Sequence, residues 1–287
     1  MTGPDIPTPW REAAARIAAA GPGRILVIGA TDRGKSTFCA YLCWYLLRHD
    51  RQPAFVDADV GQKDVGPPAT ISLARPRLDA ALASLPPAAL YFVGAVSPLA
   101  HLLPMVVGTR QLAEQADGDF VVVNTSGLVF DVGRVLKTYQ IDALRPDWIV
   151  ALEQDRELTP ILAAHRHFRI LRLPASPHAR VKTPTVRRQH RQAAFQFYFR
   201  RAREVVLPLA DLIVQRAPVA GAWPAVLTPG RLCALADSDQ QVQGLALITG
   251  FDPEKRLLTL STPAAETGPV LQLGDVSLDP ASFAQLD

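Results

Sequence analysis

Two textures divide the chain. From Arg24 to about Pro174, short and continuously apolar runs recur at Ile25–Ile28, Ala54–Val56, Leu90–Val93, Phe120–Val123, Trp148–Leu152 and Ile170–Leu173. Runs without polar alternation mark parallel strands covered on both faces. Between them the apolar spacing turns helical and predicts helices over Lys35–His49, Leu99–Ala116, Val132–Leu144 and Asp155–His167. Alternation of this kind specifies an α/β fold built on a doubly wound, mostly parallel sheet. The helix from Lys35 is apolar nearly all round, through Phe38, Tyr41, Leu42, Trp44, Tyr45, Leu46 and Leu47, so a central, buried place is expected for it. Ahead of the first strand, Ala13–Ala20 after Trp10 reads as a short helix of no evident chemistry.

One more helix is expected from Thr185 to about Glu204, with Arg on one side and Phe195, Phe197, Tyr198 and Phe199 read as core. Beyond Pro208 the texture changes. Pro and Gly recur, at Pro218, Gly221, Pro224, Gly230, Gly244, Gly250 and onwards, and separate short segments such as Leu257–Thr262 and Val270–Leu273. A small antiparallel β module follows from that pattern, with a boundary near 205–215 and domains at 1–207 and 208–287.

At 287 residues, 48% hydrophobic and 20% charged, the chain can bury a sizeable core without disulfides or structural metal, and neither disorder nor a coiled coil fits. Cys39, Cys43 and Cys233 cannot all pair and read as small buried hydrophobes in a reducing compartment. The longest apolar run, Phe38–Leu47, is about half a membrane span. Asp5 interrupts the N-terminal segment, so neither signal peptide nor membrane partner is expected, and the cytoplasm is the expected compartment.

Net charge is +3, but its distribution is uneven. Between His165 and Arg203 stand eleven Lys or Arg and no carboxylate, which leaves nineteen basic against twenty-seven acidic residues elsewhere, a net −8. Such asymmetry suggests a polyanionic partner; a solvated basic helix is the competing explanation.

The strongest chemical signal is Gly29-Ala30-Thr31-Asp32-Arg33-Gly34-Lys35-Ser36, followed by Thr37. It matches G-x-x-x-x-G-K-[ST], a pattern that chance supplies in roughly one chain of this length in a hundred, and it sits between a buried strand and a helix. There the backbone N–H groups can turn inward on phosphate oxygens, and the helix N-terminus adds its positive end. Lys35 would reach the β and γ phosphates of ATP, and the Ser36 hydroxyl would ligate Mg2+. At the end of the next strand Asp57 and Asp59 can both approach this site, one to hold the Mg2+ shell and one to take a proton from an attacking hydroxyl.

These motifs, together with Asp57-Ala-Asp-Val-Gly-Gln62, Asp64-Val-Gly-Pro-Pro-Ala-Thr-Ile-Ser-Leu73, Phe92-Val-Gly-Ala-Val-Ser-Pro98 and Asn124-Thr-Ser-Gly-Leu128, resemble the polynucleotide 5′-hydroxyl kinases, including their compact prokaryotic members. The resemblance runs from about residue 24 to 204 and more weakly into the β module. It implies transfer of the ATP γ-phosphoryl group to the 5′-hydroxyl of RNA or DNA. It also implies a clasp for the nucleic acid end at Thr125-Ser-Gly127, where Leu128 replaces the family's stacking Trp. An Arg-bearing lid near 180–204 is implied as well, with R-x-x-x-R at Arg187 and Arg191 and Arg188 adjoining. Four residues apart on a helix, Arg187 and Arg191 share one face. In the expected arrangement Asp59 is the base and Asp57 the metal partner, with exchange of these roles left open. Gln62, Thr125, Gly127 and Arg188 are the candidates for holding the acceptor strand. Two competing functions are an idle ATP-bound scaffold for RNA-processing partners and a P-loop NTPase of the partitioning or metallochaperone type. Protein partners are not indicated.

Overall fold

The computed structural model describes residues 6–176, 179, 181–215 and 226–286; Asp5, His178, Arg180, Pro218, Gly221 and Pro224 lie outside the described residues. In chain order the elements are α1 (Thr8–Ala19), β1 (Gly23–Gly29), α2 (Lys35–Arg48), β2 (Pro53–Ala58), β3 (Thr70–Ala74), β4 (Ala89–Phe92), α3 (Leu102–Glu114), β5 (Phe120–Thr125), α4 (Val132–Leu144), β6 (Trp148–Glu153), α5 (Thr159–Ala164), β7 (Arg169–Pro174), α6 (Pro184–Phe199), β8 (Arg203–Pro208), β9 (Ile213–Gln215), β10 (Arg231–Ala236), β11 (Val242–Asp252), β12 (Leu257–Thr262) and β13 (Val270–Ser277). They divide into two compact units. One comprises Met1–Asp59, Ile71–Ala88 and Pro98–Lys182, the other Val60–Thr70, Ala89–Ser97 and Thr183–Asp287.

In the first unit the strands lie in the order β3-β2-β5-β1-β6-β7. Every pairing from β2 to β7 is parallel, and β3 runs antiparallel to β2 through Phe55↔Ala74 and Asp57↔Ser72. The mostly parallel α/β sheet expected from the apolar runs is present. Its central strands are buried on both faces, and the register sets Asn124 beside both Val27 and Asp57 and Gly29 beside Leu152. The carboxyl ends of β1, β2, β5 and β6 therefore finish together, where ligands of open α/β sheets bind.

Three expectations about the helices are corrected. Helix α3 begins at Leu102 because Ala100 takes a positive φ of 63° just ahead of it. Helix α5 shrinks to Thr159–Ala164, because the Glu157 carboxylate accepts from the backbone N–H groups of Gln154 and Asp155 and holds that segment as a turn. Helix α2 buries Phe38, Cys39, Leu42, Cys43 and Leu46 but leaves Trp44 49% exposed, so it is one-sided rather than enclosed.

The second unit carries a six-stranded sheet in the order β8-β12-β11-β10-β13-β9, antiparallel except for β13 with β9. Its extent corrects the expected boundary near 205–215. Phe195 and Phe199 of α6 pack into one core with Leu232, Ala234, Leu245 and Leu247, and the Leu245 N–H donates to the Tyr198 hydroxyl over 2.8 Å. The helix ends at Phe199, and Arg203–Pro208, read in part as its continuation, forms β8 against β12. Segments 60–70 and 89–97 join the same unit: the Val93 and Gly94 N–H groups donate to Ala69 O, and Asp275 N–H donates to Gly94 O. All three cysteines are buried free thiols. Among the described residues no helix is long and apolar enough to cross a membrane.

Candidate active site

The phosphate loop grows out of β1. Gly29 leaves the sheet where a Cβ would stand 2.5 Å from Leu152 O, and Gly34 turns the chain into α2 with a φ of +89°. Few side chains tolerate that backbone. Asp32 also adopts a positive φ, 60°, and its carboxylate accepts the Lys182 N–H over 3.0 Å. Residues 29–34 thus carry the chain from β1 into the N-terminus of α2, an end whose free backbone N–H groups favour an anion. Arg33 is tied to Glu157 at 3.0 Å. Ala30 is buried, whereas Thr31 and Thr37 are exposed. Beside Asp32 and Arg33 opens a cavity of about 410 Å³, also lined by Glu153, Gln154, Pro174 and Ser176.

Lys35 is 7% exposed, and its ammonium donates to Ala30 O over 2.9 Å. Burial pulls its pKa below the ordinary lysine value, with Asp59, Cys39 and Asp32 acting in the opposite sense. Asp57 is fully buried at the end of β2, where its Oδ1 accepts the Asn124 amide at 3.2 Å and the Asp59 N–H at 3.2 Å. The same amide of Asn124 reaches the Ser36 hydroxyl at 3.4 Å, and Asn124 Oδ1 is buried without a hydrogen-bond partner. Ser36, Asp57 and Asn124 therefore form one cluster of oxygen donors. An unsatisfied buried oxygen beside a hydroxyl and a carboxylate suits a hard cation such as Mg2+, which takes few protein ligands and completes its shell from phosphate and water.

Thr125 is fully buried, and its hydroxyl donates to Val27 O over 2.9 Å. Its side chain fixes the end of β5. Gly127 lies against the phosphate loop so closely that a Cβ there would stand 2.7 Å from both the N and Cα of Thr31. Gly127→Ala must displace this loop, so ATP affinity is expected to fall at least tenfold, about 1.4 kcal/mol. Nucleotide titration alongside a melting curve checks this. An unchanged dissociation constant would show that the close approach has no bearing on nucleotide binding.

Gln62, Arg187, Arg188 and Arg191 belong to the second unit. The Gln62 amide donates to Gly61 O at 2.8 Å and Arg187 O at 3.3 Å, and Arg188 donates to Gln285 O at 2.9 Å. Arg187 and Arg191 are half-buried on α6, and Arg191 Nε is buried without a hydrogen-bond partner. Burial, with Arg188 and Arg187 adding repulsion, holds Arg191 below its ordinary value. Part of the basic stretch is structural: Arg172 pairs with Glu153, Arg169 lies over the Trp148 ring, and Arg203 donates to Ala264 O and Ala265 O.

Three contributors escaped the sequence reading. Asn124 closes an otherwise all-apolar strand end, a signal that was available. Trp10 of α1 is fully buried, donates to Pro174 O at 2.9 Å and meets Phe38 edge-on, so the leading helix buttresses the phosphate loop. Lys137 of α4 is also fully buried and donates to Ser126 Oγ and Gln140 Oε1, both at 3.3 Å.

A glycine-rich turn between a central parallel strand and a helix, with Lys35 and Ser36 at the helix start and Asp57 on a neighbouring strand, defines a P-loop nucleotide-binding protein. Within that class the chain belongs to the family of the mRNA cleavage and polyadenylation factor CLP1 P-loop, whose pattern matches residues 29–201. Over 196 residues it is 39% identical to a polyribonucleotide 5′-hydroxyl-kinase of Pyrococcus furiosus, covering 67% of this chain and 55% of that protein. The chicken polyribonucleotide 5′-hydroxyl-kinase Clp1 is 28% identical over 85% of this chain and 69% of its own. The chain spans about half the length of the archaeal curated relatives it matches. Among solved structures, wild-type Clp1p in complex with a segment of Pcf11p shares the fold, with a TM-score of 0.70 at 15% identity over 96% of this chain and 83% of that one.

Proposed function

We propose that the chain is an ATP-dependent polynucleotide kinase that transfers the γ-phosphoryl group to the 5′-hydroxyl of RNA. The observation carrying this reading is the convergence of Lys35, Ser36, Asp57, Asn124 and Asp59 at the carboxyl ends of β1, β2 and β5. The names of the curated relatives support the acceptor class. The loop 29–34 and Lys35 hold the ATP phosphates, and the cavity beside Asp32 and Arg33 accommodates the base and ribose. Ser36, Asp57 and Asn124 hold Mg2+, which when bound neutralises charge on the phosphate oxygens. Asp59 orients the 5′-hydroxyl and accepts its proton. Ser126 and Gly127 face the acceptor side, with Thr125 behind them as a support. Arg187 and Arg191 are the lid pair that neutralises charge on the transferred group, an assignment resting on the family pattern and on the buried, unpartnered Nε of Arg191. Arg188 and Gln62 are assigned to the acceptor strand. A role in RNA processing in the cytoplasm fits this chemistry and the three buried thiols.

The test uses labelled ATP with matched 5′-hydroxyl RNA and DNA oligonucleotides at two salt concentrations. Label should appear at the 5′ end of RNA, and strand binding should weaken as salt rises because phosphate contacts release counterions. Bound ATP without transfer would favour the idle scaffold. Hydrolysis indifferent to every oligonucleotide would favour the partitioning type of NTPase.

A further inference from the structure

Helix α4 buries Gly133, Leu136, Lys137, Gln140, Ile141 and Leu144. A helix face of this kind normally buries apolar groups, and a leucine or methionine would fill the place of Lys137 without the cost of dehydrating an ammonium. The lysine is instead enclosed completely and held by neutral oxygens. Its Nζ donates to Ser126 and Gln140, the Gln140 amide donates to Thr109 Oγ1 at 3.2 Å, and Thr109 donates to Met105 O at 2.6 Å. This buried chain of hydrogen bonds runs from α3 through α4 to the turn after β5, the turn whose Gly127 abuts the phosphate loop. Burial, with repulsion from Lys35, pushes Lys137 down to about 7, and Asp59 acts in the opposite sense. Asp59 opposes the depression of Lys35 as well.

We infer that Lys137 is a positioning residue of the phosphoryl-transfer site: its Nζ, held by Gln140, pins Ser126 and through it the acceptor turn that carries Gly127. This inference rests on the kinase reading above. It assigns a distinct duty to each lysine, with Lys35 serving the nucleotide and Lys137 serving the acceptor turn. Loss of Lys137 should therefore appear in turnover and in acceptor KM while leaving ATP binding alone. A purely structural lysine would behave differently, since removing its contribution would lower stability and turnover together.

The experiment compares the wild-type chain with Lys137→Met and Lys137→Gln. It measures ATP affinity, KM and kcat with a 5′-hydroxyl RNA oligonucleotide, and the melting temperature. Lys137→Met matches the side chain in length and removes the charge, so its melting temperature should equal or exceed that of the wild type. Its kcat should fall at least tenfold, the acceptor KM should rise, and the ATP dissociation constant should stay within threefold. Lys137→Gln is one atom shorter and cannot hold Ser126 and Gln140 together, so it should show the same loss; if Lys137→Met fails to fold, the same readouts on Lys137→Gln decide. Wild-type transfer with either folded variant keeping more than half of kcat overturns the inference and leaves the kinase reading intact. A fall in melting temperature with kcat and ATP affinity lost in parallel also overturns it. Absence of transfer by the wild type overturns the kinase reading, and this inference with it.

Discussion

Lys35→Ala is expected to reduce phosphoryl transfer to a 5′-hydroxyl oligonucleotide to below about 1% of wild type, the scale of loss when one preorganised charged donor is removed from a transition state. The geometry explains why the effect should be so confined. The ammonium donates to Ala30 O at 2.9 Å, a carbonyl of the loop it serves. That contact closes a five-residue loop and ties no distant elements together. Burial already disfavours the charge, so alanine relieves a desolvation cost while leaving the apolar face of α2, from Phe38 to Leu46, in place. A melting temperature near that of the wild type should therefore accompany the lost activity. Transfer above a few per cent of wild type in a folded Lys35→Ala protein would remove the phosphate-loop assignment.

Legibility in the sequence followed the range of the interactions involved. Helix α4 and the central strands were readable because burial on both faces of a parallel sheet leaves uninterrupted apolar runs, and periodicity is local. The phosphate loop was readable because its chemistry lies in consecutive residues. Strand β3 was missed: Thr70–Ala74 alternates polar and apolar residues over only five positions, and its place is decided by pairing with Phe55–Asp57. The boundary of the second unit was placed too late because α6 looks like its predecessors in sequence. Only its packing partners, Leu232 and Leu245 among them, assign it elsewhere. Within the site, a lone lysine on a helix reads as solvent-facing by default, so Lys137 emerged only when α4 was seen to turn that side inward. Thr125, chosen for its motif, spends its hydroxyl on Val27 O. A motif names a residue type at a position, not the atom to which its hydroxyl is bonded.

The second large effect separates the two aspartates. Asp57 is fully buried, and its Oδ1 is held by Asn124 and by the Asp59 N–H, within the cluster that includes Ser36. Asp59, half-buried one step beyond the strand, lies under the influence of both Lys35 and Lys137. A carboxylate fixed among oxygen donors suits a cation, whereas one just past the strand's end suits a proton acceptor. Asp59→Asn keeps shape and removes basicity, so kcat should fall between about 100-fold and 10,000-fold, the contribution of a positioned general base. The KM for ATP should move less than threefold. Asp57→Asn should instead raise the Mg2+ concentration needed for half-maximal rate, with part of the loss recovered at high Mg2+. Steady-state kinetics over a Mg2+ series with both variants decides the division. If Asp57→Asn gives a Mg2+-insensitive loss of kcat while Asp59→Asn shifts the Mg2+ requirement, the roles are reversed. If Asp59→Asn keeps more than a tenth of wild-type kcat, the reaction proceeds without a carboxylate base and rests on positioning and charge neutralisation alone, as loose phosphoryl-transfer transition states permit.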